Sequence, residues 1–94
     1  MVLHTVSAGP GLADCLALAA PDDALLLLGD GVYSAMSGSD TAAALEASGL
    51  PLYALGQDVL AAGVSAYLLA SVTVVDFDAF VALTEAFSRQ LNWP

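Results

Sequence analysis

"PDDALLLLGDGVYSAM", residues 21–36, decides the fold through its first half, where five apolar residues, Ala24 to Leu28, stand between "PDD" and "GDG". A run this short does not make a helix. It has the length of a strand, and its lack of polar alternation predicts burial on both faces, the condition of a strand inside a parallel sheet. Asp30-Gly31 then opens a turn at the carboxyl end of that strand and leads into "VYSAM".

The same logic extends to either side. Upstream, "VLHTV" (Val2 to Val6) reads as a strand, "SAGPG" as a turn, and the stretch to about Ala20 as a helix stopped by Pro21. Downstream, "TAAALEASG" ends at a Gly49 cap, "LPLYAL" (Leu50 to Leu55) is a third strand, and "GQDVLAAGV" is a short helix closed by Gly63. "SVTVV" supplies a fourth strand. Asp76 sits where an N-cap belongs for a last helix, "FDAFVALTEAFSRQL", with Phe77, Phe80, Val81, Thr84 and Phe87 on its sheet-facing side. Strands joined through helices imply parallel neighbours and right-handed crossovers. The expectation is a single α/β domain over residues 1–94, a three-layer sandwich around a mainly parallel sheet of about four strands.

Composition narrows the function. Hydrophobic residues make up 59% of the 94 and charged residues 12%, against roughly 45–50% and ~25% in soluble domains. A chain this small has a high surface-to-volume ratio, so part of the apolar excess lies at the surface unless another subunit covers it. Ten acidic residues face one arginine, Arg89, and no lysine, for a formal charge of −9. Nucleic-acid affinity rests on phosphate neutralisation by Lys and Arg, so direct RNA or DNA binding is not expected. The uncharged run "VLAAGVSAYLLASVTVV" between Asp58 and Asp76 is slightly short for a membrane span and is broken by Gly63, Ser65, Ser71 and Thr73. "MVLHTVSAGPG" lacks the basic and apolar regions of a signal peptide.

Few residues offer chemistry. No Gly-x-Gly-x-x-Gly or Gly-x-Ser-x-Gly spacing occurs, so neither dinucleotide binding nor a nucleophile elbow has support. The single cysteine, Cys15, excludes an internal disulfide, and no other residues complete a zinc site. At ~100° per residue, Leu12, Cys15, Leu16 and Ala19 share one stripe of the first helix, with Asp14 and Ala17 opposite. The thiol therefore points to the apolar side. No cation stands near it in sequence, and a reactive cysteine needs its thiolate stabilised, so packing is the first reading of Cys15 and sulfur chemistry the second. His4, on the face of Val2 and Val6, reads as a hydrogen-bonded core or interface histidine. Asp30 and Asp58 fall at the rim where open α/β sheets bind ligands, but capping and turn formation explain these positions unaided and are the first reading. Tyr33, Tyr53, Tyr67 and Trp93 suit either an interface or a core.

Five segments in order resemble one family: "LHTV" at 3–6, "LLLLGDGVYSAM" at 25–36, "LYALGQDVLAAGV" at 52–64, "VVDFDAFVALT" at 74–84 and "QLNW" at 90–93. Together they are similar to the TusB/DsrH sulfur-relay subunits of the DsrE-like fold, over almost the whole chain. The resemblance implies a cytoplasmic subunit, without cofactor or metal, that assembles with TusC/DsrF-like and TusD/DsrE-like partners into a heterohexamer. It implies a relay of persulfide sulfur toward 2-thiolation of the wobble uridine of transfer RNA, the principal sulfur-carrying cysteine lying on the TusD/DsrE-like partner and this chain mainly structural. The alternative it carries is a DsrH-type subunit of dissimilatory sulfur oxidation, with Cys15 as a persulfide-carrying thiol. One departure stands out: family members often end the helix after strand three in Arg-Gly, whereas Ala62 precedes Gly63 here.

Overall fold

In a computed structural model that describes residues 1–94, Ala24–Leu27 is an extended strand whose four side chains are all buried. The chain order is β1 (Val2–Val6), α1 (Pro10–Leu18), β2 (Ala24–Leu27), a 3-10 turn over Gly29–Ala35, α2 (Asp40–Ser48), β3 (Leu52–Leu55) and α3 (Gly56–Ala62). A short 3-10 turn at Ser65–Tyr67 then precedes β4 (Val72–Val75), α4 (Phe77–Ala86) and β5 (Arg89–Trp93). The strands lie in the order β4-β3-β2-β1-β5, and every pairing is parallel. β2 is central, which is why its sequence shows no alternation.

The Asp76, Gly49 and Gly63 caps fall where the sequence places them, and Ser39 is a further one. Ser39 accepts the Ala42 amide at 3.1 Å and Asp76 accepts the Ala79 amide at 2.8 Å, each satisfying a helix-start N–H that otherwise lacks a partner. Gly49 and Gly63 close α2 and α3 with φ of 70° and 71°, a left-handed geometry that a side chain disfavours. Gly31 is required for a different reason: a Cβ there would lie 2.1 Å from the Val6 carbonyl oxygen, so the turn after β2 can seat on the end of β1 only without a side chain.

The sheet is covered unequally. On one face, Val6, Leu25, Leu27, Leu52 and Ala54 pack with Leu12 and Cys15 of α1, Ala42 and Leu45 of α2 and Val59 of α3 in the main core. Burying each leucine fully is worth about 1.5–3 kcal/mol. On the other face Leu3, Ala24, Leu26 and Val75 are met by Ala79, Phe80 and Leu83 of α4 and by Phe87 just beyond it, none of these four fully buried. Three layers result, one of them a single helix.

The carboxyl terminus differs from expectation. The last helix ends at Ala86 instead of running to Leu91, and Arg89–Trp93 is a fifth strand against β1. The physical reason is that β1 would otherwise be an unprotected edge, and pairing with β5 satisfies its backbone groups. Within α4, Phe77 is 60% exposed, and Leu83 packs against the sheet as well.

Candidate functional site

Cys15 sits on the inner face of α1 with no solvent exposure, in the stripe that the helical spacing describes. Burial pushes its thiol from 9.0 up to about 11, and the Asp23 carboxylate adds to the rise. Sulfur transfer proceeds through a thiolate, and both influences oppose one. No side chain supplies a compensating cation: the one Arg/Lys residue, Arg89, lies on β5, and α1 has no acidic or basic residue in its first or last turn. As placed, Cys15 is a packing group.

The most constrained polar cluster lies nearby. His4 Nε2 is 2.8 Å from Asp23 Oδ2, and the Trp93 indole Nε1 donates to His4 Nδ1 at 3.0 Å. An indole N–H can only donate, so Nδ1 must accept, and the remaining ring proton belongs on Nε2, where it is donated to Asp23. His4 is thereby fixed as the neutral Nε2–H tautomer. Asp23 also accepts the Val2 amide at 2.8 Å and the Ala20 amide at 2.9 Å. Burial alone would raise this carboxyl, yet the Ala20 amide, the His4 side chain and the Val2 amide together outweigh it and hold the group at about 2. The cluster ties β1, the loop before β2 and β5 together. It leaves no buried polar side chain unpartnered.

This geometry decides several sequence readings. Both ring nitrogens of His4 are occupied, so it has none left to act as base for a serine, and a Ser-His-Asp arrangement is not assembled. Asp58 accepts the Gly29 amide at 2.7 Å and so pins the turn after β2 to α3. Asp30 and Asp58 share a small cleft with Tyr33 and Ala62, of about 220 Å³. Ala62, where the resemblance implies an arginine, borders this cleft and contributes a methyl group. Nowhere do three His, Cys, Asp or Glu side chains gather as a metal site would require. Tyr33 and Tyr67 are exposed, whereas Tyr53 and Trp93 are half-buried against the core. No helix is long and apolar enough to cross a membrane.

Asp23 and β5 are the elements that sequence reasoning missed. Asp23 directly precedes a strand buried on both faces, a place where a charge needs a partner, and that was its signal. For β5 the signal was the alternation of Gln90 and Asn92 with Leu91 and Trp93.

A parallel five-stranded sheet with helices on both faces is an α/β architecture of the DsrE-like kind. The crystal structure of the ychN protein from E. coli superposes with a TM-score of 0.75, covering 98% of this chain and 97% of that one at 18% identity, which supports the fold alone. Residues 6–90 match the DsrH like protein family, and the chain belongs to it. Relatives along the whole length carry the name Protein TusB: that of Sodalis glossinidius is 42% identical over 95 residues, covering 98% of this chain and all of that one. The Protein TusB of Pectobacterium carotovorum is 39% identical and that of Shigella flexneri 36%, with the same coverage. The family is the one that the five sequence segments resemble, the TusB/DsrH sulfur-relay subunits.

Proposed function

We propose that this chain is the structural and docking subunit of a cytoplasmic heterohexameric sulfur relay, assembled with TusC/DsrF-like and TusD/DsrE-like subunits, that passes persulfide sulfur toward 2-thiolation of the transfer-RNA wobble uridine. Likeness to proteins named TusB over the full length of both chains carries the pathway half of this reading. The burial of Cys15, with its thiol raised to about 11, supports a docking role over a carrying one. A formal charge of −9 fits a member that leaves transfer RNA to other components. The uncovered apolar residues, Leu18, Leu60, Val74 and Phe77 among them, fit a surface meant for sister subunits.

Deleting the gene should abolish 2-thiouridine in bulk transfer RNA, and both the wild-type chain and Cys15→Ala should restore it. Co-expression with the two neighbouring subunits should give a native mass of two copies of each. Normal thiouridine in the deletion strain, together with a defect in sulfur oxidation, would move the chain to the other branch of the family.

A further inference from the structure

Part of the exposed apolar surface gathers at the β4 edge of the sheet. β4 pairs with β3 alone, so its outer edge is open, and Leu60 of α3, Leu68, Val74 of β4 and Phe77 of α4 line a groove of about 700 Å³ beside it. Leu60 is 75% exposed, Phe77 60% and Val74 51%, values that a short, otherwise well-packed chain does not need for its own stability. Between Gly56 and Ser88 there is no Lys, Arg or His, while Asp58, Asp76, Asp78 and Glu85 are all present. Asp76 itself lines the groove. The one arginine, Arg89, is on β5 at the opposite edge of the sheet.

That distribution selects the occupant. A second copy of this chain would set the Asp76 at this rim against another Asp76 across an apolar contact, with no cation from Gly56 to Ser88 of either copy to relieve it. An apolar segment flanked by lysine or arginine would instead match both the groove and its rim. We propose that the groove between α3, β4 and the start of α4 docks an apolar segment bearing Lys or Arg from a different subunit of the complex. The assignment rests on the reading of this chain as a subunit and names the face that reading requires.

The test uses the full chain co-expressed with its two neighbouring subunits. Leu60 and Phe77 point outward, so the double variant Leu60→Lys/Phe77→Lys should keep the wild-type circular dichroism spectrum while binding its partners about tenfold or more weakly, as a central apolar contact does when it is lost. In a separate measurement on the wild-type complex, hydroxyl-radical labelling of Phe77 and Leu60 should fall well below that of the free chain. If the wild-type chain assembles and the variant assembles as tightly, or if Phe77 and Leu60 label equally in both states, the groove assignment is overturned and the subunit reading stands. A homodimer formed through this groove would overturn it as well. If the wild-type chain joins no co-expressed subunit, the subunit reading itself fails.

Discussion

Cys15 and Asp23 are both buried, and the protein treats their charges oppositely. Raising the Cys15 thiol from 9.0 to about 11 lowers its thiolate fraction at pH 8 about a hundredfold, so iodoacetamide should modify it about that much more slowly than an exposed thiol. Rapid alkylation of the folded chain would contradict its placement. Asp23 is the reverse case, held ionised by three hydrogen bonds. Its folded value of about 2 lies below its ordinary 3.8, so it contributes stability that is complete above pH 3.8 and is lost as pH falls through about 2. The contribution is about 2 kcal/mol. Asp23→Asn should therefore lower stability at neutral pH and flatten its dependence between pH 4 and 2, measured by urea denaturation at each pH. An unchanged pH profile would show that the carboxylate is not held in this way.

At the scale of elements, the strands and helix caps were legible in the sequence because they depend on local patterns. Ala24–Leu27, the Gly49 and Gly63 closures and the Asp76 cap are all set within a few residues. β5 was not legible, because "SRQLNW" has a weak strand pattern of its own and is extended by its pairing with β1, more than eighty residues away. His4 was read correctly as a hydrogen-bonded core residue, but its partners Asp23 and Trp93 lie 19 and 89 positions distant, beyond the reach of any spacing rule. The Trp93–His4 bond adds a buried side-chain latch to the backbone pairing of β5 with β1. Trp93→Phe should cost about 1–2 kcal/mol, because it leaves Nδ1 of His4 buried without a donor, and Trp93→Ala should cost more. Urea midpoints for the two variants would check this, and a Trp93→Phe midpoint equal to wild type would exclude the latch.

For the whole molecule, the apolar excess read from composition has a visible location. Part of it fills the two sides of a parallel sheet, and part stays outside, at the β4 edge and around Leu18 and Leu91 near the β5 edge. A sheet covered by a single helix on one face and open at both edges, β4 and β5, suits the assembly proposed above. Under the proposed assembly, a Cys15 sealed in the core would leave sulfur carriage to a partner. The most direct test is intact-protein mass spectrometry of the co-expressed complex after incubation with a persulfide donor. The account predicts that a partner subunit gains ~32 Da and this chain gains nothing. A ~32 Da addition on this chain that disappears in Cys15→Ala would contradict it.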